Sequence, residues 1–200
     1  MSEKYFAGDT RSSRERRLAS EDYIFDDPAD IARAQLVAQL TKRYADAVAT
    51  QDSAAPEILA LLIGSIGEGS SIKPPISVDY GEHITIGDRV FINSGLTALD
   101  SAPITIGDDC LLGPNVQLLT PTHPIAPIPR RDKVEGAQPI TLGKNVWLGG
   151  GVIVCPGVTI GNNTVVGAGS VVVKDLPANV VAVGNPARIV REINPDEPLR

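Results

Sequence analysis

Few residues of the types that carry reaction chemistry occur in the chain: two histidines, two cysteines and one tryptophan. His123 lies in Thr122-His123-Pro124 and His83 in Gly81-Glu82-His83. An imidazole that titrates near neutrality can take a proton from a hydroxyl as that oxygen attacks an electrophile, then return it to the leaving group. A lone histidine is more often a packing residue, so its position in the fold must carry the case. Cys110 and Cys155 form neither a C-x-x-C pair nor a metal-ligand spacing, and are expected to be structural thiols of a reducing compartment. No serine or cysteine stands in a recognisable nucleophile setting, which favours direct transfer over a covalent enzyme intermediate. A metal centre built on three histidines fails on count, and no metal is expected.

What must position these residues is a repeat. From Leu142 the sequence reads LGKNVW, LGGGVI, VCPGVT, IGNNTV, VGAGSV and VVKDLP, with an aliphatic residue at every sixth place. The same period runs through Ile66, Ile72, Val78 and Ile84, restarts at Ile86 and Ile92, and restarts again at Ile106, Leu112 and Leu118. Six is neither the 3.6 of a helix nor the alternation of a plain strand, and it is too short for a helix-containing repeat. It suits short strands joined by tight corners, three hexapeptides making a triangular coil of about 18 residues that stacks on the previous coil at roughly 4.8 Å. The aliphatic residues then point inward, and Gly and Asn turn the corners. The expected fold is mainly β: a left-handed parallel β-helix over residues 64–177, preceded by an N-terminal helical cap segment (1–63) and followed by a C-terminal tail (178–200).

Departures from the period are where side chains can be re-aimed. Ile84 to Ile86 and Ile104 to Ile106 are two-residue slips, placing extra residues near Glu82-His83 and near Asp100-Ser101-Ala102-Pro103. The largest departure is a protruding loop over 119–141, stiffened by Pro121, Pro124, Pro127, Pro129 and Pro139, after which the array resumes at Leu142. Loops of this kind on a rigid scaffold are where function concentrates. His123 stands at its root, in the last and outward place of the hexapeptide that begins at Leu118. Trp147 is also at an outward place, where an indole calls for a subunit contact or a ligand. Ahead of the array, Asp27-Pro28 followed by Asp30 reads as a helix start, with Ile31, Ala34, Val37, Leu40, Tyr44 and Val48 at helical spacing. A second short helix is expected over 56–63, and the first twenty residues are expected to be mobile or loosely packed.

With 24 acidic against 18 basic residues the net charge is −6, which leaves no overall electrostatic footprint for nucleic acid or an anionic membrane. The first residues lack the apolar core of a secretory signal and no stretch approaches a membrane span, so a cytoplasmic address is expected.

The array, together with Asp79-Tyr80-Gly81, Phe91-Ile92-Asn93, Thr122-His123-Pro124, Asn145-Val146-Trp147-Leu148-Gly149, Val173-Lys174-Asp175 and Gly184-Asn185-Pro186-Ala187-Arg188, resembles the maltose and galactoside O-acetyltransferases. The resemblance implies a homotrimer that transfers acetyl from acetyl-CoA, held in a groove between neighbouring prisms, to a small-molecule acceptor. It makes His123 the general base and Asn93 a transition-state stabiliser that faces the histidine of an adjacent subunit. Register puts these two at different corners of the triangle. Asp79, Asp100 and Phe91 fall on the acceptor side. Trp147, Gly149, Gly150, Ala168, Val173, Lys174, Arg188 and Arg191 fall on the acetyl-CoA side, the cations serving its phosphates and glycine N–H groups the thioester oxygen. Gly150 and Val173 replace a frequent serine and threonine on the acetyl-CoA side and lose their hydroxyls; in the cap, Gln35 stands where an arginine is frequent and the segment carries a one-residue insertion, so the acceptor stays open. A hydroxylated antibiotic is an alternative acceptor, and a non-catalytic trimeric scaffold an alternative role. His83 is expected to be structural.

Overall fold

The computed structural model describes residues 2–194 and 196. Short parallel strands stack into the three faces of a triangular prism, a left-handed parallel β-helix. The first face is built from Ser65–Ile66, Ile84–Ile86, Ile104–Ile106, Ile140–Leu142 and Thr159–Ile160. The second takes Ser71–Ile72, Phe91–Ile92, Leu111–Leu112, Trp147–Leu148, Val165–Val166 and Val180–Val183, and the third Ile76–Val78, Leu96–Leu99, Gln117–Leu119, Ile153–Val154 and Val171–Val172.

Register stacks like on like. Ile86, Ile106, Leu142 and Ile160 form one inward column. Ile92, Leu112, Leu148 and Val166 form a second, and Ala98, Leu118, Val154 and Val172 a third. All are buried, and each large aliphatic side chain contributes roughly 1.5–3 kcal/mol through apolar surface removed from water. Ile86 lies opposite Ile106, twenty positions on, whereas Leu142 lies opposite Ile160, eighteen on. The two extra residues of the longer coils sit at the corner joining the third face to the first, where the slips were expected. Ile106 lies opposite Leu142, thirty-six positions on; the loop adds the length of a whole coil, and register survives it.

At the corner joining the first face to the second, Arg89, Asp109, Asn145, Asn163 and Asn179 all take positive φ. Asn145 Nδ2 donates to Asn163 Oδ1 (3.0 Å) and Asn163 Nδ2 to Asn179 Oδ1 (2.8 Å), a ladder that tolerates the left-handed conformation because a short amide compensates it locally.

Four helices precede the prism: α1 (Ser2–Phe6), α2 (Ser13–Leu18), α3 (Pro28–Ala49) and α4 (Ala55–Leu62). Asp27 caps α3, its Oδ1 accepting from the Ala29 N–H (2.9 Å), with Pro28 in the first turn. Val37, Leu40, Tyr44 and Ala47 of α3 and Ile58, Leu59 and Leu62 of α4 join the prism core in one cluster, so the helices plug its first coil. The residues at helical spacing lie on α3 as expected; its buried stripe is Asp30, Val37, Leu40, Tyr44 and Ala47, while Ile31 and Val48 face solvent. Two expectations are corrected. Within residues 4–20 the chain is packed: Ser12 and Glu15 close a capping box on α2, and Arg17 is wholly buried. The coil also continues past residue 177, because Val180–Val183 extends the second face and Arg188–Glu192 returns antiparallel to it. Residues 195 and 197–200 of the expected tail lie outside the described residues. No described helix is long and apolar enough to cross a membrane.

Leu118 is fully buried one step before the loop. Leu118→Ala should cost about 2–5 kcal/mol of unfolding free energy, the usual range for a buried leucine cavity, measured by the denaturant midpoint at unchanged slope.

Candidate active site

The corner joining the third face to the first gathers Asp79, His83, Asp100 and His123. Gly81 takes φ 72°, and a Cβ there would lie 2.0 Å from the Leu62 carbonyl oxygen. Only glycine allows this corner to close against the cap. Beneath it Asp100, fully buried, accepts the backbone N–H groups of Asp79 (3.0 Å), Tyr80 (2.8 Å) and His83 (3.2 Å). Burial alone would push the Asp100 carboxyl up, but His83 and the corner N–H groups outweigh it and hold it below the usual carboxylate range. Asp100 was expected on the acceptor side. It is instead the peg on which the corner is folded, out of reach of the cleft. His83 packs its ring edge-on to Tyr80, with centroids 5.6 Å apart, and its Nδ1 lies 3.6 Å from Asp100 Oδ2.

From this corner the loop rises as a hairpin. Pro121–Thr122 pairs antiparallel with Val134–Ala137, which pairs in turn with Tyr23–Ile24 from the cap segment. A short helix, α5 (Pro127–Arg131), forms its tip. His123 follows the first hairpin strand and is exposed. It opens on a cleft of about 430 Å³ with three walls: Asp79, Tyr80, Leu99 and Ser101 from the corner, Pro121 and Glu135 from the hairpin, Phe25 and Ala34 from the cap.

The cleft is acidic, and Asp79 within it is half-buried. Burial pushes the Asp79 carboxyl up to about 6; the Ser101 hydroxyl, which donates to Asp79 Oδ2 (3.1 Å), opposes this, while Asp100 and Glu135 add to it. Burial likewise raises the Tyr23 phenol, with nearby Ser101 opposing this and Glu135 adding to it. Ser101, Glu135 and Phe25 were not singled out from the sequence. Ser101 falls within the slip, and Glu135 within a loop whose return strand no period announces.

A second set of residues lies elsewhere. Along the corner joining the second face to the third, Asn93-Ser94-Gly95, Gly113-Pro114-Asn115, Gly149-Gly150-Gly151 and Gly167-Ala168-Gly169 stack coil on coil. The backbone bonds Asn115 N–H to Ser94 O (2.9 Å), Gly151 N–H to Pro114 O (2.8 Å) and Gly169 N–H to Gly150 O (2.9 Å) tie them. Asn93, Gly149, Gly150 and Ala168 therefore share one edge. A Cβ on Gly149 would meet the Ala168 nitrogen at 2.5 Å, so the next coil can approach only glycine. Phe91, Leu111, Trp147 and Val165 make an outward apolar column on the adjoining face, with Trp147 54% exposed. Phe91, expected on the acceptor side, lies on this face with Lys73 Nζ 5.4 Å from its ring centroid, away from the His123 cleft.

Val173 and Lys174 follow the last strand of the third face. Lys174 and Arg188 flank one shallow depression with Leu176, Ala187, Ile189 and Asp175, whose Oδ1 accepts the Thr159 N–H (2.7 Å). Among the described residues no carboxylate pairs with either cation, a donor set that fits an anionic group. Arg191 lies on the antiparallel strand, opposite Val181. One chain thus brings His123 and Asp79 together, and leaves Asn93, Phe91 and the glycine edge on another side of the prism.

The model of the bacterial transferase hexapeptide (six repeats) matches residues 139–174, and that of the hexapeptide repeat of succinyl-transferase matches residues 103–118. A galactoside O-acetyltransferase of Lactococcus lactis subsp. lactis is 37% identical over 181 residues, covering 90% of this chain and 87% of that protein. The chain belongs to the hexapeptide-repeat maltose and galactoside O-acetyltransferase family. It is an acetyltransferase. The crystal structure of a maltose O-acetyltransferase from Clostridium difficile 630 is similar to this acetyltransferase with a TM-score of 0.90 and 39% identity, over 93% of this chain and 100% of that one. A galactoside acetyltransferase in complex with coenzyme A follows with a TM-score of 0.88 and 35% identity, over 92% of each chain.

The raised Asp79 carboxyl makes a stability prediction. Between its ordinary value of 3.8 and about 6 the folded acetyltransferase binds a proton that the unfolded chain has released, so Asp79 makes stability fall as pH rises through that window. Against Asp79→Asn, the unsubstituted protein should lose about 2–3 kcal/mol of unfolding free energy between pH 4 and pH 7, at 1.36 kcal/mol per unit. Parallel pH profiles of the two proteins in urea denaturation would remove Asp79 as a desolvated acid.

Proposed function

We propose that this acetyltransferase carries the acetyl group of acetyl-CoA to a hydroxyl of a sugar, maltose-, glucose- or galactoside-like, by direct attack with His123 as general base. The observation that carries this is the placement of His123: exposed, at the root of the loop, opening on a cleft whose other polar groups are suited to hydroxyl recognition. The imidazole accepts the hydroxyl proton as the oxygen attacks the thioester carbonyl. Collapse of the tetrahedral intermediate expels the CoA thiolate, which takes that proton back. Asp79, Ser101 and Glu135 are the side chains placed to accept or exchange hydrogen bonds with acceptor hydroxyls.

Acetyl-CoA would be held by the edge that bears Gly149, Gly150 and Ala168, by Trp147, by Val173, and by the cations Lys174, Arg188 and Arg191. The stacked glycine edge and the depression between Lys174 and Arg188 support that assignment. Asn93 lies on the glycine edge and not beside His123, which supports a homotrimer whose site is completed when one prism's Asn93 corner meets its neighbour's His123 corner. Free Cys110 and Cys155 suit a cytoplasmic address.

Thiol release from acetyl-CoA, followed with maltose, glucose, galactosides and hydroxylated antibiotics as acceptors, tests the proposal. Acceptor-dependent release is expected with sugars; release only with an antibiotic would move the protein to the xenobiotic class, and none with any acceptor would leave a scaffold. His123→Ala should lower kcat at least about 10²-fold, the usual worth of a general base. Near-normal turnover by that variant would remove His123 from the reaction.

A further inference from the structure

We infer that Arg17, from a segment the catalytic scheme does not use, is a positioning residue of the acceptor cleft, acting through Ser101 and Tyr80. The inference rests on the cleft at His123 being the acceptor site. Arg17 is wholly buried. Its Nε and Nη2 grip the buried carboxylate of Asp30 at 2.9–3.1 Å, its Nη1 donates to the Ser101 carbonyl oxygen at 2.7 Å, and its guanidinium lies 4.1 Å from the centroid of the Tyr80 ring. Two residues of the cleft wall are thus held by one side chain. Ser101 in turn donates its hydroxyl to Asp79, so the fork reaches the cleft's half-buried carboxylate through one intermediate.

Stability alone is a poor reason for this arrangement. A buried arginine–carboxylate pair is generally matched or exceeded by apolar residues of similar volume, because desolvation of two charges offsets their attraction. The cap already has an apolar plug in Val37, Leu40 and Leu62. What a guanidinium adds is direction: a planar fork with five N–H donors fixes Asp30, Ser101 and Tyr80 in one relative orientation, as no aliphatic side chain can. The same short segment sets the opposite wall. Tyr23, six residues after Arg17, pairs with Glu135 in the return strand of the loop hairpin that carries His123. The stretch from Arg17 to Ile24 therefore grips the corner wall at one end and the hairpin wall at the other, and the spacing between them is the width of the cleft.

Arg17→Met and the double variant Arg17→Met/Asp30→Leu test this in the full chain by thiol release, with KM measured separately for acceptor and for acetyl-CoA and with Tm by calorimetry. Arg17→Met should raise the acceptor KM at least about tenfold, since sub-ångström misplacement of a site is costly, and leave the acetyl-CoA KM within about twofold. The double variant should recover the Tm, as replacement of a buried pair allows, without recovering the acceptor KM. Equal rises in both KM values, an unchanged acceptor KM, or recovery of acceptor KM together with Tm would overturn the inference. So would failure of both variants to fold, which would make the pair a fold-holding element. Absence of acceptor-dependent release by the unsubstituted protein would instead overturn the acetyl-transfer proposal, and this inference with it.

Discussion

Inward aliphatic columns, stacked in register and bound coil to coil by backbone hydrogen bonds, are what everything else in this molecule depends on. In a globular enzyme a site residue is placed by helices and sheets that could shift against one another. Here a residue's place is set by its position modulo the coil, because Ile86 cannot leave Ile106 without breaking both an apolar contact and the ladder beside it. Residues far apart in sequence become neighbours along an edge: Asn93, Gly113, Gly149 and Gly167 occupy equivalent corner positions in successive coils. The same rigidity lets the chain insert a loop the length of a whole coil after Leu118 and resume at Ile140 with pairing intact.

A triangular prism also keeps its edges apart. His123 and Asp79 stand at one corner, Asn93 and the glycine edge at another, and no motion short of unwinding coils would bring them together. On the proposed assignment of Asn93 and His123 to one site, the fold divides that site between two prism edges, and subunit association would be a requirement for chemistry. The outward column of Phe91, Leu111 and Trp147, of which the last two are exposed, adjoins the Asn93 edge and supplies apolar surface of the kind that protein interfaces bury.

Much of this was legible in the sequence because the aliphatic period of six is set by packing alone and few residues violate it. The slips were legible too, as was the place of His123, since a position counted from Leu118 predicts direction. What period cannot report is what happens inside a slip. Asp100 read as a cleft carboxylate, yet a corner with two extra residues has extra N–H groups to satisfy, and those of Asp79, Tyr80 and His83 drew the carboxylate inward. The amino-terminal twenty residues read as loose because arginines are seldom buried without a partner. The partner of Arg17 is Asp30, on the next helix, and that pairing has no sequence signature. Ser12-Ser13-Arg14-Glu15 is one: it is the capping-box pattern that announces α2. Glu135 came to the cleft only through the pairing of Tyr23–Ile24 with Val134–Ala137, which joins segments more than a hundred residues apart, and Ser101 came to it inside the slip, where period does not report direction.

On the proposed scheme the catalytic constellation is assembled between subunits. It is tested most directly by complementation: His123→Ala and Asn93→Ala proteins are each assayed alone, then dissociated, mixed in equal amounts and reassembled. With His123 and Asn93 contributed by different chains, random mixing restores intact sites, and activity should return to roughly a quarter of the unsubstituted level in a cyclic assembly. Activity no greater than the sum of the two parents would contradict the account and place both residues in a site made by a single chain.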